Sequence, residues 1–187
     1  MELNKIYLQN FCLFIGKQDV DLCQHDNKNV ILFIGGEESG KSTILKAINW
    51  CVFNLATKNL LNQEVADSLK EGESTIVQVN LEGYSKNKPL TIERRVQVKK
   101  EKNELKVIEH NFIILHDHKL VSPTFIEKLK LPLMVDDSRF NENFVVPKTG
   151  QVIITSYEVP EKIVPYVAHA YEMLREGDAT VVATLKI

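Results

Sequence analysis

Hydrophobic and polar positions fall into short blocks whose period changes along the chain. Leu3 to Phe11 predicts a first strand, and Gly16 to Leu22 a second. The polar stretch Gln24–Asn29 turns the chain into Val30-Ile31-Leu32-Phe33-Ile34. That continuous apolar run is expected of a buried parallel strand. Ile44–Phe53 carries apolar residues at helical spacing, with Trp50 on the apolar face as a core residue. Leu60–Lys70 predicts a second helix, ended by Gly72. Thr75 to Leu81 alternates at period two, Pro89–Val98 does so less cleanly, and Leu105–Glu109 is a further short strand. The three predict an antiparallel meander with turns at Ser85–Lys88 and Lys99–Asn103. Phe112–Leu115 is a short apolar strand, and Pro123–Leu129 one or two helical turns. Leu131–Asp137 and Gln151–Ser156 predict two more short buried strands. Glu161–Val167 reads as a short helix, and Ala170–Leu174 with Thr180–Leu185 as a closing hairpin. The β-rich insertion after the first helix separates this layout from a plain doubly wound sheet.

Between the apolar strand and the first helix lies Gly35-Gly36-Glu37-Glu38-Ser39-Gly40-Lys41-Ser42. It fits G-x-x-x-x-G-K-[ST], the phosphate-cradling loop, and the strand and helix that the motif requires flank it. Backbone N–H groups at a helix N-terminus converge on an anion. Lys41 is expected to reach the terminal phosphates, and the Ser42 hydroxyl to ligate Mg²⁺. The expected nucleotide contacts are Gly35, Gly36, Glu37, Glu38, Ser39, Gly40, Lys41, Ser42 and Thr43, with ATP and Mg²⁺ as cofactors. A glycine-rich turn matching by chance is disfavoured by those flanks.

A P-loop ATPase also needs a carboxylate at the end of a neighbouring buried strand, to hold the water shell of Mg²⁺. Leu133-Met134-Val135-Asp136 supplies it, so Ser42 and Asp136 form the expected metal set. Asp137 follows as a candidate catalytic base acting with Lys41, although an Asp is shorter than the more usual Glu. The alternative for this Asp-Asp pair is a solvated turn or a helix cap.

At 187 residues, 44% hydrophobic and 26% charged, the chain suits one compact domain. It would divide into a P-loop and meander lobe over 1–110 and a magnesium-strand lobe over 111–187. The net charge of −2 gives no global attraction to nucleic acid, so any DNA contact must be local. Cys12, Cys23 and Cys51 lack zinc spacing and read as reduced thiols of a cytoplasmic protein. No signal-peptide pattern and no membrane-length apolar run are present, so no membrane partner is expected. His116-Asp117-His118 would place two imidazoles on one strand face as half a metal site; a polar loop is the favoured reading. Lys99-Lys100-Glu101-Lys102 reads as a solvated hairpin tip rather than a DNA contact, because Glu101 and Glu104 interrupt the charge.

The segments that end in Asn10-Phe11 and run from Ile34 to Ile48 resemble the ATPase head of the SMC-like, ABC-type DNA-repair family. Within it, the DNA sulfur-modification proteins are most similar. Gly16–Leu22, Lys70–Ser74, Thr91–Arg94, Leu131–Asp136 and Gln151–Ser156 carry that likeness over most of the chain. The resemblance implies an α/β fold: a P-loop NTPase of ABC-type head form, with an antiparallel β lobe. It implies Mg²⁺-dependent ATP hydrolysis between two heads, a homodimer or partner lobe, and DNA reached through a larger complex. The chain departs from the family in having neither the long coiled coil nor the Ser/Gly-rich signature motif. Glu38 stands where the family has its second loop glycine, and Ser156 where it often has a switch histidine. Residues 138–150 are too few for the usual dimer loop plus a full helix. Nucleotide binding with weak intrinsic hydrolysis follows from those departures. The alternatives are a non-hydrolysing nucleotide-binding module and a small P-loop kinase. The kinase suits the length, but only Arg94, Arg95, Arg139 and Arg175 are available over a transferring phosphoryl group.

Overall fold

A computed structural model describes residues 1–22, 30–55, 59–136, 151–156 and 181–185. The first elements are β1 (Glu2–Gln9), β2 (Lys17–Asp21), β3 (Val30–Ile34), α1 (Lys41–Phe53) and α2 (Gln63–Ser68). Then come β4 (Ser74–Ser85), β5 (Lys88–Glu101), β6 (Glu104–His116) and β7 (Lys119–Leu120). A 3-10 helix (Pro123–Lys128), β8 (Leu133–Asp136), β9 (Val152–Ser156) and β10 (Val181–Leu185) complete the order. One sheet has six strands in the order β2-β1-β4-β5-β6-β7, every pair antiparallel. The other has four in the order β10-β3-β9-β8, with β3, β9 and β8 parallel and β10 antiparallel to β3.

Alternation drives the first sheet. β4 buries Val77, Val79 and Leu81, while β5 buries Leu90, Ile92, Arg94, Val96 and Val98. Its long hairpins turn on Lys86-Asn87, Lys102-Asn103 and Asp117-His118, all with φ between 52° and 62°. Two successive positive φ values make the tight turn whose twist matches the flanking strands, and asparagine tolerates that region better than most residues. The second sheet is buried on both faces at β3 and β9, whose described side chains are all buried.

α1 packs against β4 and β5 of one sheet and β9 of the other. Of its thirteen residues, nine are buried, so the helix is covered on nearly every side. Two further contacts bear on how the sheets join. The Gln151 side chain accepts from the Leu3 N–H (2.8 Å) and donates to the Leu3 carbonyl (2.7 Å), just before β9. Beside it, β1 bulges between Leu3 and Lys5, opposite Gly83 of β4. Among the described residues no helix is long and apolar enough to cross a membrane.

Several expectations need correction. The helix expected over Leu60–Lys70 covers only Gln63–Ser68. Leu61 is drawn into a bridge with Phe11, Asn62 caps the helix by accepting from the Glu64 and Val65 N–H groups, and Leu69 is extended. Gly72 therefore ends no helix; it sits in the turn before β4 with φ +82°. The strands expected at Leu105–Glu109 and Phe112–Leu115 are one strand, β6, because His110 and Asn111 continue the ladder opposite Val96 and Arg95. β8 starts at Leu133 rather than Leu131, and only Val135 in it is fully buried. His116 ends β6, and Asp117-His118 is a turn, so the two imidazoles do not share a strand face. Glu161–Val167 and Ala170–Leu174 lie outside the described residues.

Burial pushes the Cys51 thiol up to about 12, and its sulfur lies 3.4 Å from the Val79 and Ile92 carbonyls. The thiolate is the nucleophile, so Cys51 should resist iodoacetamide at pH 8 in the native protein and react once the protein is denatured. Peptide mapping after brief labelling measures this; native labelling at the denatured rate would contradict the packing.

Candidate phosphate-binding site

The site grows from the C-terminal edge of the parallel strands. In register, Ile34 of β3 lies opposite Ser156 of β9, and Thr155 of β9 opposite Asp136 of β8. Strand ends, loop and helix start thus share one edge, where open α/β sheets place their ligands. Residues 35–40 link Ile34 to α1, whose first residue is Lys41. Gly40 is the N-cap, with φ 90° and ψ −1°, and contributes no side-chain cap. The first turn of α1 holds no acidic residue. The leading N–H groups of any α-helix lack partners within it, so this terminus offers donors and a positive dipole end to an anion.

Lys41 is 9% exposed and folds back over the loop. Its ammonium donates to the carbonyls of Gly35 (2.6 Å) and Gly36 (2.7 Å), and to the Ser39 hydroxyl (3.3 Å). Glu37, Glu38, Ser39 and Ser42 are exposed, whereas Thr43 is buried. The charge and the hydroxyl expected to meet phosphate and metal therefore flank the same helix start.

Two glycines differ in what they do. A side chain at Gly40 would be strained by its φ, and its Cβ would come 3.0 Å from Cζ of Phe14. At Gly36 an added Cβ would meet nothing within 4 Å. Phe14 was not legible as a neighbour of the loop, since it lies in the connection between β1 and β2, 26 positions earlier. In the structure that connection turns through positive φ at Asn10, Cys12 and Gly16.

Glu38 has φ 60°, the left-handed region in which a side chain costs roughly 1 kcal/mol. Close approach to phosphate is thus not the sole reason for glycine at this position. Glu38→Gly relieves that strain but adds about 0.4–1 kcal/mol of unfolded-state entropy. Thermal stability should change little. Removing an exposed like charge should tighten ATP binding modestly, and the gain should shrink as salt rises. Titration at two salt concentrations checks this; weaker binding by the variant would mean that Glu38 supports the loop.

Asp136 ends β8 and is half-buried. β9 lies between β8 and β3, so this carboxylate is on the next-but-one strand, about 10 Å across, not the adjacent one. Thr155 and Ser156, both buried, occupy the intervening strand end. Asp137 lies outside the described residues. Three lysines of the β5–β6 hairpin are engaged locally: Lys99 and Lys106 pair with Glu101, and Lys100 donates to the Leu69 carbonyl. A separate groove of about 310 Å³, lined by Tyr7, Gln9, Gln78, Asn80 and Glu82 among others, opens on the other sheet. Helix-start chemistry is absent there, so the loop remains the candidate.

No curated protein matches the chain. Among solved structures, an SMC head domain from Thermotoga maritima resembles it, with 20% identity and a TM-score of 0.41. The match covers 68% of this chain and 41% of that one, so the chain spans less than half the length of that structure. The family described as AAA domain matches residues 5–149, which contain the loop and both flanking elements. The chain belongs to the AAA domain family.

Proposed function

We propose that this chain is an ATP-binding head of the SMC-like, ABC-type kind, holding Mg²⁺-ATP at Gly35–Thr43. One observation carries the reading: a lysine-closed loop joins a buried parallel strand to an uncapped helix start. The residues present fit the group. Open space at Gly36 leaves room beside the loop, and the Ser42 hydroxyl is exposed where a metal ligand is needed. Mg²⁺, when bound, neutralises charge on the phosphate oxygens. Lys41 exchanges the Gly35 and Gly36 carbonyls for phosphate oxygens. Ser42 would hold the metal and Asp136 its water shell, and Asp137 is the candidate base.

Hydrolysis by the isolated chain is slow, because no signature motif completes a composite site. A second head, from another copy or another protein, supplies the missing contacts. The likeness to the DNA sulfur-modification protein DndD links the activity to DNA repair or modification within a larger complex. A kinase reading fits less well. Arg94 is held against Cys51, ten residues and roughly 15 Å along α1 from Lys41, far from a transferring phosphoryl group.

Calorimetric titration with Mg²⁺-ATP, paired with phosphate release with and without added acceptor, tests the reading. Binding is expected, with release slower than about one per second. Faster release that disappears in Asp136→Ala would contradict slow turnover. Acceptor-dependent transfer would favour the kinase. Absence of binding would remove the reading altogether.

A further inference from the structure

Arg94 is 4% exposed at the middle of β5, and among the described residues no carboxylate pairs with it. Buried charges normally require compensation. Here it comes from other groups. The Arg94 Nε donates to the Cys51 carbonyl (2.9 Å) in the last turn of α1. That carbonyl belongs to the negative end of the helix dipole and lies among those a helix leaves unpaired. The Arg94 guanidinium lies 4.1 Å from the Phe112 ring centroid and 6.0 Å from that of Trp50. Its Nη1 is 3.0 Å from Nε2 of His110. Since guanidinium only donates, His110 must accept, which requires a neutral ring protonated at Nδ1.

The cluster continues toward the loop. Trp50 packs against Phe11, with centroids 5.5 Å apart. The Phe11 carbonyl accepts from the Phe14 N–H (2.9 Å), and the Phe14 ring abuts Gly40, the N-cap of the same helix. One contiguous set of contacts thus grips α1 at both ends.

We propose that Arg94 is a positioning residue for the phosphate loop, clamping α1 to the antiparallel sheet, with neutral His110 as the acceptor that holds its guanidinium in place. The clamp rests on the nucleotide reading for its purpose, not for its existence. Protonating His110 removes the acceptor and sets two cations in contact. His110 is an exposed residue whose Nε2 faces the guanidinium; partial desolvation there and the Arg94 charge both hold its ring below the ordinary imidazole value of about 6.5. The unfolded chain therefore takes the proton more readily, and the clamp's contribution is present above about pH 6.5 and lost as pH falls through the lowered folded value. Other groups nearby leave that sign unchanged. Cys51 on α1 stays neutral at these pH values, and Glu109 on β6 is bonded by Asn111. Glu93 and Arg95 flank Arg94 on β5 with opposite charges.

Trp50 is the only tryptophan, so its emission reports the clamp directly without nucleotide. The full chain, Arg94→Lys and His110→Gln are compared from pH 8 to pH 5. The parent should show an emission transition below pH 6.5 that His110→Gln lacks, because glutamine accepts without titrating. Mg²⁺-ATP titrations at pH 7.5 and 5.5 follow, with ATP's own protonation cancelling between variants. The parent's Kd ratio across the two pH values should exceed that of His110→Gln about fivefold. Arg94→Lys, which cannot reach both partners, should weaken binding about tenfold at pH 7.5 while retaining native circular dichroism. An emission profile unchanged by His110→Gln would overturn the clamp. Parental affinity in folded Arg94→Lys, or equal pH ratios, would overturn its role at the loop. Failure of the parent to bind ATP would count against the nucleotide reading and this role together, while the emission comparison still decides the clamp.

Discussion

Gly83→Ala is expected to destabilise the protein by roughly 3–5 kcal/mol. A Cβ built at Gly83 lies 1.9 Å from the Glu2 carbonyl oxygen, and 2.9 Å from both the Glu2 carbonyl carbon and Leu3 Cα. All three are backbone atoms of β1, so no side-chain rotation relieves the overlap. The end of β1 must move away from β4. That movement disturbs the Leu3–Gly83 pairing at the bulge and the two bonds by which Gln151 ties Leu3 to the second sheet. Overpacking costs typically ~1–3 kcal/mol, and each of the lost buried bonds about 1 kcal/mol. For a chain of this size a loss of that order lowers the melting temperature by about 10 °C or more. Gly36→Ala, with nothing within 4 Å of its Cβ, is the control and should melt near the parent. Thermal or urea denaturation measures both. A Gly83→Ala melting temperature within about 2 °C of the parent would contradict the close approach of β1.

The physical origin of that constraint also marks what the sequence can and cannot convey. Val30–Ile34 is legible as a buried strand because both its faces are apolar, and the structure buries every residue of it. The loop is legible because its chemistry is written in consecutive residues. Long-range partners are not written that way. Nothing near Gly83 announces that Glu2 approaches it, and nothing near Phe14 announces Gly40. Asp136 was found from the apolar run before it, but strand order decides its distance from the loop, and β9 enters between them from a later segment. Arg94 is legible only as one of the chain's four arginines, on a predicted strand; nothing in the sequence announces its burial beneath α1. The sequence of β6 reads as two strands because His110 and Asn111 interrupt its apolar pattern, yet a strand facing solvent needs no such pattern.

Lys41→Ala should weaken Mg²⁺-ATP binding about a hundredfold. The ammonium already lies over the loop, bonded at 2.6, 2.7 and 3.3 Å, so its charge is beside the phosphate site, and nucleotide replaces the two carbonyls as its acceptors. Charge-assisted bonds to phosphate contribute ~1.5–3 kcal/mol each, and a net loss of ~3 kcal/mol corresponds to about a hundredfold in affinity. Lys41→Arg should not rescue it, because a planar fork cannot occupy the space of a compact ammonium folded over Gly35 and Gly36. Calorimetric titration of the three proteins measures the effect. Equal affinity in parent and alanine variant would show that ATP, if bound, is bound elsewhere.

Amide hydrogen exchange of the full chain, with and without saturating Mg²⁺-ATP, tests the central claim most directly. Gly36–Ser39 are exposed, so their amides start with little shielding from solvent. Nucleotide should slow exchange at least about tenfold over residues 35–44, and Lys41→Ala should abolish that protection at the same ATP concentration. Protection confined to the groove lined by Tyr7, Gln78 and Asn80, or no protection of residues 35–44 despite measurable binding, would contradict the assignment of the loop as the ATP site.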